Sequence, residues 1–275
     1  MRQFQESEFR TWLAQMPATK LLIKSFIDLS KLEFFQFKIS INGFFETVKC
    51  HIDRTFNNKE IVECNFCGWK GNKFYPHVTT AAVQSEEKCP VCHSIPRYRT
   101  LMKFLIDDLN LFERKLKILE VGPNRSLQNI FHKDPNFDYT SVDLKSPHAM
   151  LHMDVTDLKL KDEQYDLLLC IGVMHYVEDD VKGFHEMYRV LKPNGQLIFA
   201  SGIDENSEKT VEYKTRIAAN NFTIRTYGWD VKEKIKSAGF KIKLFEPYKN
   251  STEEEKLKLG LGTHSILLLE KLNTN

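Results

Sequence analysis

The sequence lacks any run approaching the roughly 18 apolar residues that a membrane helix needs, so no membrane association is expected. Its opening segment, MRQFQESEFRTW, has no apolar signal core, and the protein is expected to stay in the cytoplasm. An excess of one charge is also lacking. Against 39 Lys and Arg stand 37 Asp and Glu, a formal net charge of +2. That balance gives no global pull toward nucleic acid. Two phosphate cradles are missing as well: neither G-x-G-x-x-G nor a P-loop follows any strand-like segment. With 42% apolar and 28% charged residues, the 275-residue chain has ordinary globular composition. It is long enough for a full core and one small additional module.

Cysteine is present and patterned. Reduced cytosolic thiols need a reason other than disulfides, and four of the six cysteines have one. Cys64 and Cys67 form a C-x2-C pair in ECNFCGWKG; Cys89 and Cys92 form another in KCPVCHS, after 21 intervening residues. Each pair offers zinc one side of a tetrahedron, and Gly68 and Pro90 suit the tight turns required. Four thiolates close the coordination sphere and leave no place for a reactive water, so the expected Zn(2+) is structural. Buried free thiols, an iron–sulfur site and disulfides are the alternatives. Cys50, His51, His77 and His93 read as fold residues, since the four-thiolate set is complete without them. Cys170, within YDLLLC, reads as a buried strand cysteine.

The order of elements predicts three parts. Residues 1–45 read as helix with apolar residues on more than one face. Residues 46–96 hold the cysteine module, with short strands expected in ETVKCHI and EIVEC. Residues 97–275 form the main domain, opened by a helix over 97–113. There KILEV, FDYTSVDL, MLHMDV, YDLLLCIG and QLIFASG read as strands. SLQNIFHK, the stretch from Asp179 to Leu191 and WDVKEKIKSAGF read as helices, and KIKLFEPY and HSILLLEK close the sheet. YDLLLCIG is apolar throughout, as in the centre of a parallel sheet. The alternation predicts a three-layer α/β fold.

In such a sheet, ligands bind beyond the carboxyl ends of the strands. The chemistry-bearing residues collect there. Glu120, Gly122, Pro123 and Asn124 follow the first strand, and Gly122 permits a sharp turn and close backbone approach. Asp143 ends the second strand, where a carboxylate can accept both ribose hydroxyls. Asp154 and Val155 end the third, near an adenine position. Ile171 and Gly172 end the fourth, with His175 just beyond. Without a pyrophosphate cradle, the pattern favours a nucleoside ligand.

These segments resemble the class I S-adenosylmethionine-dependent methyltransferases. ILEVGP at 118–123 resembles their first motif. SVDL at 141–144 resembles the second, which places Asp143 and Leu144 by the ribose. HMDVTDL at 152–158 resembles the adenine loop, and YDLLLCIGVMHYVEDD at 165–180 the fourth-strand motif. HEMYRVLKPNGQLIF at 185–199 resembles the helix–turn–strand signature of the small-molecule branch. The resemblance covers residues 97–275 and implies a Rossmann-like fold with a seven-stranded, mostly parallel sheet and a reversed final hairpin. It implies S-adenosyl-L-methionine as cofactor. CPVCHSIPRYRT resembles a bacterial subgroup with a fused cysteine module, which implies that the Arg97–Arg99 segment, Arg99 included, lies near the cofactor. The chain departs from the family in having Gly122 alone where G-x-G is frequent.

Methyl transfer needs alignment of three atoms and, for some acceptors, a base. His175 is the candidate base. Tyr98, Arg99, Arg216, Tyr227 and Trp229 are candidates to orient a substrate, with 201–229 as its cover. The resemblance implies a small-molecule acceptor, such as a sugar or natural product. RNA is the runner-up partner: some rRNA guanine methyltransferases carry a zinc module, and Lys70, Lys73, Lys88, Arg97 and Arg99 would supply charge. Glu63, Glu86 and Glu87 dilute it, and IGVMHY stands where base-amine methyltransferases have N/D-P-P-[FY]. A non-catalytic cofactor-binding protein is the third reading.

Overall fold

The computed structural model describes residues 59–78, 83–215 and 223–272. The helix expected over 1–45, the strand expected at ETVKCHI, Cys50, His51 and Arg216 lie outside them.

Four short strands precede the main sheet: β1 (Val62–Glu63), β2 (Lys70–Gly71), β3 (Tyr75–Val78) and β4 (Val83–Lys88). β1 pairs with β2 and β3 with β4, both antiparallel. Helix α1 (Pro96–Asp107) follows, opened by a proline whose missing N–H costs nothing at a helix start.

Strand β5 (Leu116–Val121), helix α2 (Arg125–Phe131) and strands β6 (Phe137–Asp143), β7 (Leu151–His152) and β8 (Tyr165–Ile171) come next. Helix α3 (Asp180–Val190) leads directly into β9 (Leu191–Ala200), and a short antiparallel pair, β10 (Val211–Glu212) with β11 (Arg225–Thr226), interrupts the chain. Helix α4 (Val231–Ser237), β12 (Lys241–Phe245), helix α5 (Glu253–Leu259) and β13 (Ile266–Glu270) complete it.

The seven-stranded sheet has the order β12-β13-β9-β8-β5-β6-β7. β13 runs antiparallel to both neighbours, and the pairs among β5 to β9 are parallel. This is the Rossmann-like methyltransferase topology. The final two strands pair as expected, but α5 lies between them. The third strand shrinks to two exposed residues at the sheet edge.

Alternation along the strands divides the core. Leu119, Leu168, Cys170 and Phe199 face Phe184 and Met187 of α3 and Ile235 of α4. Ile118, Leu167, Leu169 and Ile198 face Leu101, Phe104 and Leu105 of α1 and Phe131 of α2. Residues covered on both faces explain why β5 and β8 read as unbroken apolar runs. Burial pushes the Cys170 thiol up to about 12, consistent with an inert strand cysteine.

Candidate functional site

Three parallel strands, β5, β6 and β8, end at one cleft of about 930 Å³. Its floor is the turn after β5. Gly122 sits there at φ +69°, in the left-handed region that side chains disfavour. A Cβ at this position would stand 2.4 Å from Val173 Cγ2. Glu120 does not line the cleft. It is buried beneath it, where Oε1 accepts the Asn124 N–H at 2.9 Å and Oε2 accepts the Tyr139 hydroxyl at 2.5 Å. Burial pushes its carboxyl up to about 7. Asn124 is likewise outside the cleft wall: its side chain caps α2 by accepting the N–H groups of Ser126 and Leu127. Pro123 lines the cleft.

The acidic end lies at β6 and beyond. Asp143 Oδ1 accepts the N–H groups of Lys145 and Ser146, both at 2.7 Å. Those two bonds fix the carboxylate and leave Oδ2 on the cleft side, 3.9 Å from the Cβ position of Gly122. Asp154 repeats the design: Oδ1 accepts from the Thr156 N–H and hydroxyl at 2.8 and 2.9 Å. Leu144, Met153, Val155 and Thr156 complete this wall, with Val155 buried and Leu144 exposed.

The opposite end is formed by Ile171 at the end of β8, by Gly172 and Tyr176 beyond it, and by Arg97 and Tyr98 of α1. Gly172 has φ +72°. The structure does not bring Arg99 to the cleft. Its guanidinium is fully buried, donating to the Ser94, Leu259 and Gly260 carbonyls and lying 3.8 Å from the Phe74 ring centre. His175 is also turned away. Within a short 3-10 helix (Met174–Tyr176), its Nδ1 shares a 2.6 Å hydrogen bond with Ser201 Oγ. Burial, with Arg97 and Arg225 nearby, pushes its imidazole down to about 4. Tyr227 is buried, donating to Asp180 Oδ2, and Trp229 donates to the Glu205 carbonyl; neither lines the cleft.

Residues missed in the sequence contribute the rest of the wall: Val121, Lys145, Val173, Val177, Glu178 and Asp179. Most are immediate neighbours of the recognised motifs, which was the available signal. The wall after β8 is held by Arg225, whose guanidinium donates to the carbonyls of Val177 and Glu178.

Residues 127–199, from α2 to the end of β9, match the family model described as a methyltransferase domain. No curated protein matches the sequence. Among solved structures, the chain is similar to the [4+2]-cyclase SpnF, at 13% identity over 64% of this chain and 82% of that one, with a TM-score of 0.46. It is similar to 1,6-didemethyltoxoflavin-N1-methyltransferase of Burkholderia thailandensis, solved with 1,6-didemethyltoxoflavin and S-adenosylhomocysteine (14% identity, 64% and 78% covered, TM-score 0.45). It is also similar to an S-adenosylmethionine-dependent methyltransferase of Mesorhizobium loti (15% identity, 57% and 91% covered, TM-score 0.42).

The cysteine module precedes α1 and the seven-stranded sheet. Cys64, Cys67, Cys89 and Cys92 have Sγ atoms all within 4.8 Å of one another. The Cys64–Cys92 and Cys67–Cys89 separations are 3.5 and 3.7 Å. Tetrahedral thiolates at the zinc–sulfur distance would stand about 3.8 Å apart. The two loops are equivalent: Gly68 N–H donates to the Cys64 carbonyl, His93 N–H to that of Cys89, and Gly68 and His93 both have positive φ. His77 lies instead 3.6 Å from Glu87. Ser94 Oγ stands 3.2 and 3.3 Å from the Cys64 and Cys92 sulfurs. The donor set and its spacing fit zinc.

Proposed function

We propose that the chain is an S-adenosylmethionine-dependent methyltransferase that acts on a small-molecule acceptor and carries a structural zinc in residues 46–96. The carrying observation is the pairing of Asp143 Oδ2 with the left-handed Gly122 turn on one cleft. A carboxylate with one oxygen fixed by backbone N–H groups has its other oxygen free for two ribose hydroxyls. Asp154 and Val155 offer the polar edge and apolar face that an adenine needs. The bare backbone of Gly122 and Gly172 lets Val173 and Arg97 pack over the strand ends and close that side of the cleft, with Ile171 beside them.

S-adenosylmethionine, when bound, supplies an electrophilic methyl group. The protein's part is to hold it and to orient the acceptor. Tyr176 and Val173 line the cleft beside the Gly172 turn. His175 supports Tyr176, with ring centres 4.3 Å apart, and its neutral imidazole is bonded to Ser201. This favours a positioning role over that of a base.

A small-molecule acceptor accords with the charge distribution. Of the five cations that would make a nucleic-acid surface, Arg99 is buried and Arg97 faces the cleft. Lys70 stands 4.0 Å from Glu60. No helix among the described residues is long and apolar enough to cross a membrane.

Native mass spectrometry with S-adenosylhomocysteine tests cofactor and metal together. One zinc and one ligand per chain are expected. Transfer of label from S-adenosylmethionine to a small-molecule fraction, and not to RNA, is the expected activity. A folded chain that retains neither adduct contradicts the reading.

A further inference from the structure

One buried cation braces the cleft wall from behind. Arg225 of β11 and Asp180 at the start of α3 are both buried. A guanidinium keeps its charge, so its burial requires acceptors for its N–H groups. Arg225 finds them on two sides. Nη1 donates to the Val177 carbonyl and, at 3.4 Å, to that of Met174, and Nη2 donates to the Glu178 carbonyl at 3.0 Å. On the other side, Nε donates at 2.9 Å to Oε1 of Glu212, its cross-strand partner on β10.

Charges balance within this cluster. Asp180 Oδ2 lies 3.5 Å from Arg225 Nη1 and accepts from Lys234 Nζ of α4 and from the Tyr227 hydroxyl, both at 2.8 Å. Lys234 Nζ also stands 4.0 Å from Glu212 Oε1. Two cations therefore face two carboxylates, which compensates the burial of Arg225 and Asp180.

Arg225 stands between two parts of the molecule. Val177, Glu178 and Asp179 line the cleft. Among the described residues, none of β10 or β11 does; these strands belong to the 201–229 segment expected to cover the acceptor. Backbone bonds follow the same line. Ile224 N–H donates to the His175 carbonyl at 3.0 Å, and Tyr213 N–H donates to the Ile224 carbonyl at 2.8 Å. A ligand that fixes residues 177–179 also fixes the carbonyls that hold Arg225 and, through Glu212, the outer strand.

We propose that Arg225 is a positioning residue that couples the cleft wall to the β10–β11 pair, so that cofactor binding orders the acceptor side. This rests on the cofactor reading given above. Hydrogen exchange of the full chain with and without S-adenosylhomocysteine, beside calorimetry, tests it. In the native chain the ligand should slow exchange at 177–179 and also at 211–213, outside the cleft. Arg225→Lys keeps a charge beside Asp180, but one ammonium cannot span the three carbonyls. It should bind S-adenosylhomocysteine about 5- to 50-fold more weakly and lose the response at 211–213. Glu212→Gln alters only the outer link, at a side chain 55% exposed. It should keep the ligand response at 177–179 and lose it at 211–213. A merely structural arginine would lower the melting temperature of its variant without moving this ligand-dependent difference. If the native chain binds the ligand with no change at 211–213, the coupling is overturned while the cofactor reading stands. A native-like response there in either variant has the same meaning. Should Arg225→Lys fail to fold, the native chain and Glu212→Gln decide. If the native chain does not bind S-adenosylhomocysteine, both readings fall.

Discussion

Ser126 Oγ donates a 2.7 Å hydrogen bond to the carbonyl of Cys92. One partner belongs to the four-thiolate cluster and the other to the first turn of α2, directly after the Gly122 turn. The cysteine module is therefore tied to the cleft floor as well as to α1. Cys89→Ser should release metal and also weaken S-adenosylhomocysteine, because the support of both elements loosens. Ser126→Ala should retain the metal and lose about 0.5–1.5 kcal/mol of stability. Elemental analysis beside ligand titration checks both. Full affinity in a metal-free, folded Cys89→Ser protein would show that the module acts independently.

Two glycines with nearly equal φ separate strain from contact. Gly68 (φ +70°) has nothing within 4 Å of its Cβ position; Gly122 (φ +69°) has Val173 Cγ2 at 2.4 Å. Gly68→Ala should cost about 1–2 kcal/mol from left-handed backbone alone. Gly122→Ala should cost more and impair ligand binding. Adding Val173→Ala should recover part of the difference. Thermal melts of the four proteins decide it; equal losses at both glycines would mean that the contact is irrelevant.

Two buried groups predict opposite pH responses. His175 has a folded value of about 4 against an ordinary 6.5, so the unfolded chain holds the extra proton between them. Its contribution to stability therefore rises from pH 4 to 6.5 and is lost as pH falls. Glu120 has a folded value of about 7 against 4.5, and here the folded chain holds the extra proton. That contribution is present at low pH and is lost as pH rises from 4.5 to 7. Urea unfolding across this range should show the wild-type advantage over His175→Gln growing with pH. The advantage over Glu120→Gln should shrink. Two flat differences would remove both assignments.

The strand ends were legible because chemistry and period coincide there. β5 and β8 carry buried runs and β6 an alternating one; they stop at Gly122, Gly172 and Asp143, and parallel pairing then brings those stops together. Facing was harder to read. Arg97 and Arg99 are two residues apart on a helix, about 200° in rotation, so one reaches the cleft and the other is buried among carbonyls. RYR alone does not say which. His175 follows its strand as the cleft residues do, but the tight 3-10 turn points it back to Ser201. Helix α5 is not among the expected elements, although Thr252 and Glu255 form a capping box that marks its start. A hairpin pattern in KIKLFEPY and HSILLLEK accounts for the flanking strands without it.

The central claim is that this cleft holds the nucleoside of S-adenosylmethionine through Asp143. Isothermal titration of S-adenosylhomocysteine into wild type and Asp143→Ala tests it most directly. Removing the carboxylate takes away the acceptor for the ribose hydroxyls and frees the Lys145 and Ser146 N–H groups. The expected loss is about 1–3 kcal/mol, or roughly 5- to 150-fold in affinity, with zinc content unchanged. Undiminished affinity in a folded Asp143→Ala protein would reduce Asp143 to a turn residue and contradict the account.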